Sequence, residues 1–182
     1  MRYDLKKRIS DIAYISMCTA LICVCSLITV PFAVPFTLQT FAVFFSLLLL
    51  GGKRGAVSIC VYIGLGLAGL PVFSGFMGGV AVIFGATGGY IVGFVFAALV
   101  YFAAEKLFGK SNTVSLAAVI LGLLVCYASG SIWFAAVYAE NSSGTGFFAV
   151  VLQCVLPFVI PDILKISLAF FLKGRIEKYI KL

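Results

Sequence analysis

Apolar residues run along this chain in six long blocks, separated by short stretches in which glycine, proline and charge collect. The blocks lie at about 11–30, 36–50, 55–71, 80–104, 114–138 and 147–172. None shows the polar/apolar alternation of a barrel strand, and lipid tolerates no unpaired backbone, so the pattern predicts six transmembrane helices. A helix needs roughly 20 residues to cross about 30 Å of hydrocarbon. Blocks two and three are short by that measure and are joined by a tight turn, "GGKRG". The last three are long enough to cross with tilt.

Composition supports the same class. The chain is 63% hydrophobic and 10% charged, with mean hydropathy +1.21, whereas a soluble domain is roughly half apolar and a quarter charged. The excess extends over the whole length, so residues 1–182 read as one all-α polytopic integral-membrane domain. The basic start, "MRYDLKKRISDIAY", leads into a run without a small-residue cleavage site and reads as a first span rather than a cleaved signal.

The net charge of +7 does not point to nucleic acid, because the basic residues sit between apolar blocks instead of forming a face. Arg2, Lys6, Lys7 and Arg8 precede block one, Lys53 and Arg54 lie in the 2–3 turn, and Lys106 and Lys110 in the 4–5 link. Lys173, Arg175, Lys178 and Lys181 occupy the tail, while "PFAVPF", "PVFSGFMGG" and "AENSSGTG" hold no Lys or Arg. With six spans, the positive-inside rule then makes both termini cytoplasmic and puts the Asn141 sequon outside. Of thirteen basic residues, Lys165 alone falls inside a span.

Lys165 belongs to "VIPDILKI", residues 159–166, in which Asp162 follows Pro161 and precedes the lysine by three residues. That spacing puts both charges on roughly one helix face. Each alone costs about 2.5–3.5 kcal/mol at mid-span, and a pair kept only for stability would be inferior to two leucines. Two accounts stand: Lys165 snorkels to the tail and Asp162 caps a proline-broken helix, or both face a solute cavity.

Polarity also concentrates in two connections. Residues 69–89, "GLPVFSGFMGGVAVIFGATGG", hold seven of the nineteen glycines. They serve either close helix packing or an irregular, re-entrant backbone lining a cavity. Tyr90 ends the stretch as a ligand hydroxyl or a membrane-belt tyrosine. "PFAVPFTLQT", residues 31–40, is stiffened by Pro31 and Pro35 and offers Thr37, Gln39 and Thr40. An amide such as Gln39 both donates and accepts, which suits a neutral ureido, amide or pyrimidine-like group; a headgroup-level polar residue is the plainer account.

Enzymatic chemistry is poorly supplied. There is no histidine, HExxH or GxSxG, and "FGKSN" lacks the upstream glycine and the strand of a phosphate loop. The six cysteines lie within apolar blocks without CxxC spacing, so no metal set or bound cofactor is expected.

The stretches "PFTLQTFAVFFSLLLLG", "GLPVFSGFMGGVAVIFGATGGY" and "PFVIPDILK" together resemble the BioY family, the biotin-specific substrate-binding (S) subunits of energy-coupling factor (ECF) transporters. The resemblance covers about residues 12–173. It implies an ECF S-component-like six-helix bundle in a bacterial-type cell membrane, with biotin held under the loop between the first two helices. It implies further that Thr37 and Gln39 belong to the lid and upper pocket, that residues 75–79 (with Met77 and Gly79) and Thr87, Gly88 and Tyr90 line the site, and that Asp162 and Lys165 bind or organise the ligand. Separate partners would supply energy: a transmembrane coupling subunit and two cytoplasmic ATP-binding subunits. The family's small-residue coupling contact on the first helix is represented by Ser16 and Ala20. Ala86 replaces the proline of the common GPTGG block, and Met77 stands where some relatives carry asparagine.

The expected function is therefore high-affinity biotin binding and uptake by a non-enzymatic transport subunit. The alternatives are an S subunit for another vitamin, an autonomous ion-coupled carrier of a small polar solute, or an assembly subunit using the charge pair as helix glue.

Overall fold

The computed structural model describes residues 2–31, 34–138 and 155–179. Five helices dominate it: α1 (Arg2–Leu27), α2 (Gln39–Leu67), α3 (Gly88–Phe108), α4 (Asn112–Tyr138) and α5 (Leu156–Ile176). Two short strands, β1 (Thr29–Val30) and β2 (Phe36–Thr37), pair antiparallel and close the loop between α1 and α2. Asn141, its flanking connection and the start of the sixth expected span lie outside the described residues.

The expectation of six spans is corrected here. Among the described residues there are five helices, and four of them, α1 (from Leu5), α2, α3 and α4, are long and apolar enough to cross a membrane. The second and third expected spans, 36–50 and 55–71, both lie largely in α2 (Gln39–Leu67). Gly51 leaves the helical region there, with φ +78° and ψ 170°, a conformation that glycine alone adopts cheaply. On a straight helix Leu47 and Gly55 would stand about 12 Å apart. A Cβ at Gly55 would instead lie 2.8 Å from the Leu47 Cα, so the chain doubles back. Each arm, residues 39–50 and 52–67, is shorter than the roughly 20 residues of a crossing helix; α2 reaches that length only as a whole. With "GGKRG" inside one element, the alternation of basic and non-basic connections no longer carries the orientation.

The break is held from α3. The Gly52 N–H donates to Glu105 Oε2 at 2.6 Å, and Lys110 Nζ lies 3.2 Å from Glu105 Oε1. Arg54 pairs with Asp11 of α1 at 3.0 Å. These charges gather at one end of the bundle, hereafter the basic end. α3 and α4 approach closely because Gly93 faces the Cys126 backbone and Gly122 faces Ala97. α2 is the centre of the molecule and packs against α1, α3 and α5. Its Val43, Phe44, Leu47, Ile59 and Tyr62 are fully buried, together with Ile22, Phe73 and Val119.

The glycine-rich stretch before α3 is irregular backbone with two 3-10 turns, Ser74–Phe76 and Val80–Val82, and α3 begins only at Gly88. It is pinned at several points. The Phe73 N–H donates to Met77 O at 2.9 Å and the Gly79 N–H to Gly66 O at 2.7 Å. Trp133 Nε1 of α4 donates to Gly85 O at 3.0 Å.

Gly55→Ala forces apart the two arms of α2 and should destabilise the protein by about 1–3 kcal/mol. Gly64→Ala, in the same helix with nothing near its added carbon, should be neutral or stabilising by up to about 1 kcal/mol. Thermal unfolding of the two detergent-solubilised variants checks the contrast.

Candidate functional site

Away from the basic end, α2, α3, α4, α5 and the β1–β2 loop enclose a cavity of about 60 Å³. Val34 and Pro35 come from the loop, Ile91 and Phe94 from α3, and Leu123, Cys126 and Tyr127 from α4. Phe73 and Ser74 come from the irregular stretch and Phe158 from α5. The wall is mainly apolar, with polar groups at two places.

The first is the charge pair. α5 starts at Leu156, where Pro157 is tolerated in the first turn, and it continues through Pro161. No side chain caps its start. Its buried residues, Asp162, Lys165, Ile166, Ala169 and Lys173, recur at three- and four-residue intervals, so one inward face carries both charges. Asp162 is 2% and Lys165 6% exposed. Lys165 Nζ donates to Asp162 Oδ1 at 2.7 Å, and the Tyr127 hydroxyl of α4 donates to Asp162 Oδ2 at 2.6 Å. The ammonium also lies 4.1 Å from the centroid of the Phe36 ring on β2, and Phe36 stacks on Phe158 at 6.1 Å. Lys165 does not snorkel to the tail. Its charge is met by a carboxylate and an aromatic face, both strong partners in a low dielectric.

The second place is at the start of α2. Gln39 Nε2 donates to the Tyr62 hydroxyl at 2.8 Å, and the Gln39 backbone N–H donates to Thr37 Oγ1 at 3.2 Å. Gln39 thus keeps a carbonyl oxygen and a second N–H beyond that side-chain bond. Tyr62 is set by an edge-on contact with Phe73 at 5.5 Å. Phe73 itself fits only because Gly66 lacks a side chain, whose Cβ would fall 2.1 Å from the ring. The Thr29 and Ser74 hydroxyls share a hydrogen bond at 3.2 Å, and Ser26 donates to Val72 O; together they fasten the irregular stretch to the end of α1.

Of the residues singled out in the sequence, Thr37, Gln39, Thr40, Thr87, Tyr90, Asp162 and Lys165 line this one cavity. Met77, Gly79 and Gly88 are not among its lining residues. Met77 is 45% exposed. Gly79 takes φ +90° in a turn. Gly88 is buried at the start of α3, where a Cβ would fall 1.6 Å from Ile83 O. Sequence reasoning missed Tyr127, and the one available signal was a hydroxyl-bearing ring in the middle of an apolar block. Ser16 and Ala20 lie far from the cavity, exposed on α1, in an apolar groove between α1 and α2 that Ile12, Ile15 and Val61 also line.

A family model described as the BioY family matches residues 1–182. The chain belongs to the BioY family. Its relatives include the "Biotin transporter BioY" of Thermotoga maritima, 39% identical over 162 residues, covering 88% of this chain and 91% of that one. The "Probable biotin transporter BioY" of Pyrococcus horikoshii is 41% identical over 144 residues, covering 79% and 81%. Among solved structures, the crystal structure of the S-component for biotin from an ECF-type ABC transporter is similar, with TM-score 0.83 and 28% identity. That similarity covers 96% of this chain and 94% of the other. This BioY-family chain is accordingly a multi-pass membrane protein with an S-component-like all-α bundle, and a non-catalytic transport subunit.

A lone buried charge is far costlier than a satisfied pair. Lys165→Met, which leaves Asp162 buried without its cation, should cost about 3–5 kcal/mol of stability. The double variant Asp162→Leu/Lys165→Met should cost clearly less than the sum of the two single changes. Thermal unfolding of the three variants decides it, and additive losses would contradict a coupled pair.

Proposed function

We propose that this protein binds biotin with high affinity and takes it up as the substrate-specific subunit of an ATP-driven ECF transporter. The observation that carries the reading is the buried, mutually neutralised Asp162–Lys165 pair in the wall of an apolar cavity. The relatives' names supply the ligand, and the geometry is suited to one end of it. A ureido ring offers one carbonyl acceptor and two N–H donors. Lys165 retains ammonium hydrogens for the carbonyl, and Asp162 retains lone pairs for the N–H groups. The pair carries no net charge, so a carboxylate placed there would meet Asp162 as a second anion in a low dielectric. The ureido ring therefore goes to Asp162 and Lys165, between aromatic walls that include Phe158, Tyr90 and Tyr127. The valerate chain extends towards Thr37, Gln39 and Ser74. Val34, Pro35 and the β2 strand act as the lid, since the cavity of about 60 Å³ has room for a few waters rather than a vitamin.

Energy comes from partners: a transmembrane coupling subunit and two cytoplasmic ATP-binding subunits. The coupling subunit docks on the α1–α2 groove, where small Ser16 and Ala20 permit close helix approach.

Two measurements test this reading. In a binding titration of the purified protein, biotin should bind tightly and its methyl ester nearly as well. Asp162→Asn and Lys165→Ala should each lose at least tenfold. Absent biotin binding removes the ligand, and undiminished binding in both variants removes the site. Separately, Ser16→Leu/Ala20→Leu should keep biotin binding but lose co-purification with the coupling subunit; retained assembly would move that interface elsewhere.

A further inference from the structure

Two spaces meet at the basic end, remote from the biotin site. The larger, about 690 Å³, opens between the α2 break, α3, the start of α4 and α5. Arg54, Lys110 and Lys173 face Glu105 and Glu177 around it. The second, about 460 Å³, is a groove between α4 and α5 whose apolar wall is Leu116, Ile166 and Phe170. Asn112, Lys173 and Glu177 line both, so a polar chamber and an apolar groove form one continuous space.

Lys173 stands at their junction. Arg54 is committed to Asp11 at 3.0 Å and Lys110 to Glu105 at 3.2 Å. Lys173 is 8% exposed, yet its nearest carboxylate, the half-exposed Glu177, is 3.6 Å away. Among the described residues, its one hydrogen bond is to the neutral Asn112 Oδ1 at 3.1 Å. An ammonium has three hydrogens to place, so this buried cation is the least neutralised of the three. A ligand filling both spaces needs an anionic head and a hydrocarbon chain.

We propose that this space binds an anionic phospholipid, with its phosphate on Lys173 and Asn112 and one acyl chain along Leu116, Ile166 and Phe170. Basic chambers between membrane helices suit such headgroups, with about 1 kcal/mol gained per cation near the surface. Lipid held here bridges α4 to α5, a helix that packs chiefly on α2 among the described elements.

The test titrates the purified protein with phosphatidylglycerol, with phosphatidylcholine of the same chains, and with soluble glycerol phosphate, read by thermal melting and native mass spectrometry. Phosphatidylglycerol should give a one-to-one adduct and the largest rise in melting temperature. Lys173→Gln should weaken its binding roughly fivefold and leave phosphatidylcholine unchanged. Gly174→Leu, at a position with open space around the added carbon, should fill the groove and abolish binding of both lipids. An equal response to the two lipids, phosphatidylglycerol affinity unchanged in Lys173→Gln, or an equal shift from glycerol phosphate overturns the proposal.

Discussion

An ion pair inside a membrane bundle persists only when each charge is met by its neighbours, and Asp162–Lys165 meets that condition through four elements at once. The pair lies on α5, its second carboxylate oxygen is held by Tyr127 of α4, and its ammonium is covered by Phe36 of β2. α2 supplies the packing surface against which α5 rests. Displacing any of these would leave a polar atom bare in a medium where that is expensive. The position of α5, the placing of Phe36 on β2 and the polarity of the cavity are thus aspects of a single constraint.

That constraint also explains how a cavity built from phenylalanine, leucine and isoleucine can hold a polar solute without carrying a net charge. Opposite charges fixed 2.7 Å apart offer a donor and an acceptor side by side, already desolvated when the protein folded. Gln39, held by Tyr62, adds a second polar group at the far wall. The aromatic surfaces between them exclude water, and the exclusion strengthens each polar contact.

The inward face of α5 carries charge at both ends, and the two ends behave differently. Beside Phe36, Asp162 and Lys165 neutralise each other. At the basic end, Lys173 relies on an amide oxygen at 3.1 Å and a half-exposed carboxylate at 3.6 Å. The same helix therefore presents a tight, buried pair to the cavity and a looser, partly exposed one to the α4–α5 gap.

Much of this was legible in the residues. Charges inside an apolar run announce themselves because burial without a partner is costly, so Asp162 and Lys165 stood out, and the polar positions of "TLQT" and Tyr90 line the same cavity. Tyr127 did not stand out, since a tyrosine within an apolar block looks the same at the membrane boundary as beside a carboxylate. Nor did Phe73, Phe158 or Phe36 stand out among eighteen phenylalanines, because aromatic residues face lipid, core and ligand alike. By itself the sequence determined the membrane class, the helical state and the break at "GGKRG", which follow from local composition and backbone preference, and the family, which the resemblance of its motifs carries. Only the tertiary structure decided that two expected spans form one doubled helix, that Gly79 and Gly88 shape turns outside the cavity lining, and which side chain completes Asp162. Those outcomes depend on which surfaces meet, and a contact such as Tyr127–Asp162, thirty-five positions apart, leaves no local trace.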